Sequence, residues 1–228
     1  MNSERNESER LFAHFCAEQG IVCEPIPRAE ARRTADYRLV FPAGAAVAEV
    51  KQINPNEADE RISRDLATYG HTSAMLVPGR RVRKEIKDSC EQLGVEAKGR
   101  YPALLVLYDN TGGRTGAIAL HDVLVAMYGE QSVEYALDSA PDSAELPSRF
   151  KTGGNRGVDR EHNRTLSAVA VLGGWAGVLS LDVYHNCYAS KPLPPEWLRA
   201  NQVRHFVVTP WRDGTFRDWR LHNDAAEA

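Results

Sequence analysis

Apolar residues at helical spacing mark the start of the chain and predict an amphipathic helix over residues 3–19. The large apolar side chains fall three and four positions apart, at Leu11, Phe12, Phe15 and Cys16. Ser3 is a candidate N-cap, and Gly20 is expected to end the helix. A short strand over residues 21–26 is expected to follow it.

The next two apolar segments have the pattern of a β-hairpin. Residues 36–41 and 47–53 are rich in aliphatic and aromatic side chains, and Pro42-Ala43-Gly44 between them is a turn signal. Asn54-Pro55-Asn56 ends the second strand, and residues 57–69 are expected to be helical.

Helices and strands alternate along the rest of the chain. We expect helices over residues 80–93, ended by Gly94, and 121–127, and strands over 101–109, 115–120, 166–172, 178–184 and 205–209. Residues 138–163 are rich in Ser, Asp, Pro, Gly and Arg, which predicts a long mobile loop. This alternation predicts an α/β or α+β domain with a mixed sheet.

Length and composition indicate a soluble globular protein. The 228 residues, 43% hydrophobic and 26% charged, are enough for a domain with a substantial core. No apolar run reaches the roughly 18 residues that a membrane-spanning helix needs, and residues 1–7 lack the apolar core of a signal peptide, so we expect a cytoplasmic protein. The four cysteines include no CxxC pair, and we interpret them as buried free thiols rather than as zinc ligands or disulfides.

The net charge of −3 excludes a protein that coats nucleic acid through bulk positive charge. The charge is nevertheless unevenly distributed. Residues 61–100 hold nine basic and five acidic side chains, whereas residues 101–148 hold one basic and seven acidic. This distribution is compatible with a local basic surface beside an acidic site.

Three charged residues on the predicted hairpin are candidates for catalysis. Asp36 opens the first strand, and Glu49 and Lys51 lie two positions apart on the second, which places both side chains on one face. A carboxylate and an ammonium on an otherwise apolar strand are costly unless they pair or bind something. If Asp36 lies beside Glu49 across the hairpin, the two carboxylates repel each other, and a divalent cation relieves that repulsion. The alternative interpretation is a surface Glu–Lys pair on an edge strand.

This arrangement resembles the PD-(D/E)XK nuclease superfamily, which has the restriction-endonuclease-like fold. The matching segments are Thr34-Ala35-Asp36-Tyr37 and Glu49-Val50-Lys51, and Ala35 stands where the family name has proline. The family also tends to carry a glutamate on the helix before the hairpin. Glu9 is the candidate because it shares a helical face with Phe12, and Glu7 and Glu18 are the alternatives.

The resemblance implies a metal-dependent nuclease that hydrolyses phosphodiester bonds, with DNA rather than RNA as the expected substrate. Asp36, Glu49 and the main-chain carbonyl of Val50 would hold one or two Mg²⁺ or Mn²⁺ ions. Lys51 would position the attacking water, and Glu9 would bind through a metal-bound water. Residues 1–110 would form the nuclease-like core of a single domain, 1–228, with 111–228 as a C-terminal extension that completes the sheet, contacts substrate or builds a homodimer interface.

Two basic clusters are candidates for phosphate contacts. The first lies at a predicted helix start and consists of Arg80, Arg81, Arg83 and Lys84, and the second lies in the expected loop and consists of Arg149, Lys151, Arg156 and Arg160. The alternatives are a solvated helix face and a plain connector. For the function as a whole, the alternatives are a non-catalytic binding or interaction module that keeps the nuclease fold, and an assembly protein in which the hairpin charges only pair.

Overall fold

The computed structural model describes residues 6–27, 33–73, 77–111, 118–135, 148–175, 177–209, 216 and 218–222. Within these ranges the chain forms four α-helices and ten strands. None of these helices combines the length and the apolar character that a membrane crossing requires.

Helix α1 spans Glu7–Glu18 and begins later than the sequence pattern predicts. Its N-cap is Asn6, whose side-chain oxygen accepts a hydrogen bond from the Glu9 backbone N–H at 2.9 Å. Ser3 is therefore not the cap, and it lies outside the described residues. Gly20, with φ +68°, takes the left-handed conformation that turns the chain after the helix.

The next elements build one half of a sheet. Strands β1 (Val22–Pro25), β2 (Tyr37–Phe41) and β3 (Gly44–Ile53) form an antiparallel meander, and helices α2 (Glu57–Tyr69) and α3 (Arg80–Ala97) lead to β4 (Ala103–Asp109). Strand β4 pairs with β3 in parallel, which requires a crossover connection such as these two helices. The predicted hairpin is confirmed, with β3 beginning three residues before the expected start.

The remaining elements complete the sheet. They are α4 (Leu120–Tyr128), β5 (Gln131–Tyr135), β6 (Ser148–Thr152), β7 (Leu166–Trp175), β8 (Val178–His185), a 3-10 helix (Pro195–Leu198), β9 (Val203–Val207) and β10 (Arg220–Leu221). Eight strands form one mixed sheet in the order β1-β2-β3-β4-β7-β8-β9-β10, and β5 pairs with β6 separately. An α/β architecture with a mixed sheet is thus confirmed.

Helices cover both faces of this sheet. On one face, α1 packs Phe12 and Phe15 against β2 and β3, and burying each ring contributes about 2 kcal/mol. On the other face, α3 and α4 pack against β3, β4 and β7. Strand β4 lies between the two cores and is buried from Ala103 to Leu107, which explains its unbroken apolar sequence.

Helix α3 is longer than its sequence predicts. Gly94 does not end it, because the helix continues to Ala97 and ends at Lys98, whose φ is +49°. Glycine inside a helix costs about 1 kcal/mol. Burial of Leu93 and Ala97 on either side of Gly94 offsets that cost.

Two predictions beyond residue 110 are corrected. The expected loop over 138–163 contains strand β6, and residues 138–147 lie outside the described part. The sequence of β6 is mainly polar and does not predict a strand, and the pairing of β6 with β5 defines it. The expected strand over 115–120 is not formed in its described portion, because Leu120 begins α4.

The four cysteines are free thiols, but they are not all buried. Cys16 is buried on α1, Cys23 and Cys90 are half-buried, and Cys187 is exposed. The expectation of uniform burial is therefore wrong for Cys187, which follows the end of β8 instead of lying within a strand.

Candidate active site

The register of the β2–β3 hairpin brings Asp36 opposite Glu49. Tyr37 pairs with Ala48 in the ladder, and the Asp36 N–H donates a hydrogen bond to the Ala48 carbonyl at 3.1 Å. The Asp36 Oδ2 atom accepts a hydrogen bond from the Val50 N–H at 2.9 Å. The carboxylate of Asp36 therefore reaches across to the strand that carries Glu49.

Glu49 and Lys51 form an ion pair along β3. The Glu49 Oε1 and Lys51 Nζ atoms are 2.6 Å apart. Glu49 is 2% exposed, whereas the Lys51 side chain is 29% exposed. The pair thus joins a buried carboxylate to a cation that reaches solvent, which offsets part of the cost of burying the charge.

The surroundings of Glu49 disfavour its ionised form. Burial, followed by the charge of Asp36, raises the pKa of Glu49 to about 7, against the opposing effect of Lys51. The second oxygen, Oε2, is buried and has no hydrogen-bond donor among the described residues. An unsatisfied buried acceptor costs about 1–3 kcal/mol. This oxygen is therefore suited to take up a proton or a cation.

Helix α1 contributes Glu9 to the same cleft. Glu9 is 6% exposed, and its main-chain carbonyl accepts a hydrogen bond from the Tyr37 hydroxyl at 3.0 Å, which ties the helix to β2. The two alternative glutamates lie elsewhere: Glu7 is exposed, and Glu18 pairs with His14 at the far end of the helix. Of the three, Glu9 is the one that lines the cleft.

The cleft is open, with a volume of about 640 Å³. Its lining includes the four predicted residues Glu9, Asp36, Glu49 and Lys51 together with Val50, and it adds Asn6, Arg33, Thr34, Gln52, Asn54 and Gln92. Gln52 directly follows Lys51 on β3, and the alternation of side chains along a strand predicts that the two lie on opposite faces. The Gln52 amide instead turns toward Asn54, to which it donates a hydrogen bond at 2.7 Å, and it lines the cleft near the end of β3.

Sequence patterns missed the polar residues that the fold adds to this cleft. Gln92 belongs to α3 and donates a weak hydrogen bond to the Thr34 carbonyl at 3.4 Å. No local pattern links a glutamine on that helix to the hairpin. Arg33 had a signal, since it lies three positions before Asp36 and immediately before the segment that carries the motif.

The first basic cluster lies on the first turns of α3, and its members differ in their contacts. Arg81 pairs with Asp59 at 2.7 Å and also donates to the Asn54 carbonyl. Lys84 pairs with Asp88 at 2.9 Å. Arg83 donates to a main-chain carbonyl of α4 at 3.5 Å, whereas Arg80 is exposed.

The second basic cluster is distributed over β6 and the segment that follows it. Arg149 and Lys151 belong to β6, and their side chains lie outside the described part. Arg156 donates to the Gly153 carbonyl at 3.4 Å, and Arg160 is exposed. None of the described side chains of the two clusters lines the cleft.

The oxygen donors of the cleft fit a hard divalent cation. Asp36 and Glu49 supply two carboxylates, Val50 supplies a main-chain carbonyl, and Mg²⁺ and Mn²⁺ prefer oxygen ligands. The buried Glu49 Oε2 atom without a donor is the observation that supports this fit. Across the described ranges, no group of three or more His, Cys, Asp or Glu side chains is arranged to hold a metal ion. The hairpin offers two carboxylates, so a cation held there would also need the main-chain carbonyl as a ligand.

Comparison with known proteins adds no relative. No family model matches the chain, and no curated protein or solved structure is significantly similar to it. The resemblance to the PD-(D/E)XK superfamily therefore rests on the motif residues and on their place in the fold.

Proposed function

We propose that this protein is a PD-(D/E)XK-type nuclease that uses Mg²⁺ or Mn²⁺ to hydrolyse phosphodiester bonds, with DNA rather than RNA as substrate. The observation that carries the proposal is the site on the hairpin. Two carboxylates meet there, one of them has a buried oxygen that no donor in the described part of the chain reaches, and an ammonium lies 2.6 Å from its other oxygen.

The order of the elements supports the proposal. A helix that carries a buried glutamate comes first, the hairpin with Asp36 and Glu49 follows, and helices come next. This is the context that the resemblance implies for the motif. The restriction-endonuclease-like core within the α/β architecture is part of the proposal.

Asp36, Glu49 and the Val50 carbonyl would hold the cation. When bound, the cation would neutralise charge on the phosphate and lower the pKa of a bound water. Repulsion from Asp36 helps to raise the pKa of Glu49, and the same repulsion favours a positive charge between the two carboxylates. The free-energy cost of burying Glu49 beside Asp36 would therefore prepare the site for a cation.

Lys51 and Glu9 would act on the water and the phosphate from two sides of the cleft. The Lys51 ammonium reaches the solvent-filled space while it contacts Glu49, so it is placed to orient the attacking water and to stabilise charge that develops on the phosphate. The Glu9 carboxylate would accept a hydrogen bond from a water molecule on the side of α1.

Cleavage of plasmid DNA, single-stranded DNA and RNA with Mg²⁺ or Mn²⁺ tests the proposal. We expect Lys51→Ala to lose about 100-fold or more in rate, the effect of removing one donor that stabilises a transition state. Lys191→Ala is the matched control, because Lys191 is exposed and does not line the cleft. Equal cleavage by wild type and Lys51→Ala would contradict the assignment.

A non-catalytic binding module is the second candidate, and the Glu49–Lys51 ion pair favours it. That pair satisfies the ammonium and one carboxylate oxygen without any ligand. If the hairpin charges only pair, Mn²⁺ will leave the thermal midpoint unchanged. A metal-dependent nuclease will instead be stabilised by Mn²⁺, and Asp36→Ala will abolish that stabilisation.

A further inference from the structure

The cleft contains two cationic side chains among its described lining residues, and they differ in their carboxylate partners. Lys51 is held by Glu49 at 2.6 Å. Arg33 is exposed, and none of the carboxylates in the described part of the chain pairs with it. Its guanidinium therefore has hydrogen-bonding capacity for a ligand that enters the cleft.

The backbone that follows Arg33 is anchored at its next two residues. Thr34 accepts the hydrogen bond from Gln92 of α3, and Ala35 is buried at 1% exposure in the core. Three positions separate Arg33 from Asp36, a stretch that spans at most about 10 Å. If the phosphate to be cleaved binds at Asp36 and Glu49, an arginine held at that distance lies next to the neighbouring phosphate of the same strand.

The arginines that the sequence suggested for phosphate binding are less suitable. Arg81 is held by Asp59 and by the Asn54 carbonyl, and Arg83 is directed at α4. Neither of them lines the cleft. A phosphate contact by Arg81 would require breaking an ion pair with a buried carboxylate, which is costly.

We infer that Arg33 forms a backbone-phosphate subsite beside the catalytic carboxylates, where its guanidinium binds a non-bridging phosphate oxygen of a nucleic-acid strand. The planar fork of arginine matches phosphate and allows a two-point contact that lysine cannot reproduce. This inference rests on the proposed function for the identity of the ligand, and it assigns Arg33 to substrate binding rather than to the chemical step.

Binding to a fluorescein-labelled 20-nucleotide DNA, as single strand and as duplex, tests the subsite. The full-length protein is titrated with Ca²⁺ in place of Mg²⁺ at several KCl concentrations. We expect Arg33→Ala to weaken binding roughly five- to twentyfold and to lower the slope of log K against log salt by about 0.7 for the single strand or 0.9 for the duplex. Arg33→Lys should keep the salt slope while recovering only part of the affinity.

Arg220→Ala is the matched control, because Arg220 is equally exposed, lies outside the cleft lining and belongs to neither basic cluster. We expect its affinity to stay within twofold of wild type. The subsite is refuted if Arg33→Ala keeps the wild-type affinity and salt slope, if Arg220→Ala weakens binding as much, or if the wild type binds neither probe.

The two proposals fail in distinguishable ways. Binding that depends on Arg33, together with no cleavage under any metal, would keep the subsite and overturn the nuclease. Metal-dependent cleavage that depends on Lys51, with binding indifferent to Arg33, would keep the nuclease and overturn the subsite.

Discussion

At the scale of single residues, Glu49 shows how the candidate site opposes stability. Its carboxylate is 2% exposed and lies beside Asp36, and Lys51 compensates only part of that cost. A buried charge of this kind is stable when a proton or a cation accompanies it. The metal-free protein therefore carries a penalty that grows as Glu49 ionises.

We expect Glu49→Gln to stabilise the metal-free protein more at pH 8 than at pH 5. Folding raises the pKa of Glu49 from 4.5 to about 7, so the folded wild type is stabilised by the proton that it binds at low pH, and it loses that stabilisation as the pH rises from about 4.5 to 7. Glutamine cannot ionise, and the gain at pH 8 should reach about 2–3 kcal/mol. Urea denaturation in EDTA at both pH values measures it.

The same variant should lose the stabilisation by Mn²⁺ that the wild type shows at pH 8, because it lacks one carboxylate ligand. Glu18→Gln, at an exposed position of α1, is the control. A stability difference between Glu49→Gln and wild type that is equal at pH 5 and pH 8 would contradict the raised pKa.

At the scale of elements, Arg81 connects three parts of the fold around the end of β3. It pairs with Asp59 in the first turn of α2, donates to the Asn54 carbonyl after β3, and belongs to α3 itself. Asp59 also accepts a hydrogen bond from the Asn56 N–H at 2.9 Å and so completes the cap of α2. Arg81 is therefore a structural connector.

We expect Arg81→Ala to lower the free energy of unfolding by about 2 kcal/mol, because it leaves the Asp59 carboxylate, 7% exposed, without its cation. Arg80→Ala, one position earlier and exposed, should change it by less than about 0.5 kcal/mol. Chemical denaturation of both variants provides the comparison. Equal stabilities of the two variants would show that Arg81 is not a connector.

At the scale of the whole molecule, the sheet extends well past the cleft and carries a second ionisable cluster at its other side. His185 at the end of β8 and His205 on β9 contact each other, with Nε2 and Nδ1 2.8 Å apart. Burial, followed by the charges of His205 and His222, lowers the pKa of His185 to about 3. Burial also lowers the pKa of His205.

This cluster should make the fold sensitive to acid. The unfolded chain protonates His185 near pH 6.5 while the folded chain does not, so stability from this residue is present above that pH and falls as the pH is lowered toward 3. Between pH 7 and pH 5 the loss should be about 2 kcal/mol. Because Glu49 contributes the opposite slope, the measurement compares His185→Gln with wild type, and the variant should lose less stability on acidification. Identical dependences of stability on pH for His185→Gln and wild type would contradict an uncharged His185–His205 pair in the folded protein.

Particular residues show how far the sequence predicts the fold. The two-residue step from Glu49 to Lys51 predicted a shared face, and the 2.6 Å contact confirms it. The sequence predicted a strand over 101–109, and β4 (Ala103–Asp109) confirms it. Strands β5 and β6 were missed, because their sequences are mainly polar and lack an apolar run, and their pairing with each other defines them.

The sequence by itself determined the helix–hairpin–helix order, the face that carries Glu49 and Lys51, and the candidate chemistry, because these follow from local periodicity and residue type. Only the tertiary structure decided that Glu9 rather than Glu7 or Glu18 lines the cleft, that Arg81 is held by Asp59, and that Gln92 and Arg33 line the cleft. It also decided how deeply Glu49 is buried. These properties depend on distances between segments far apart in the chain, and packing sets those distances.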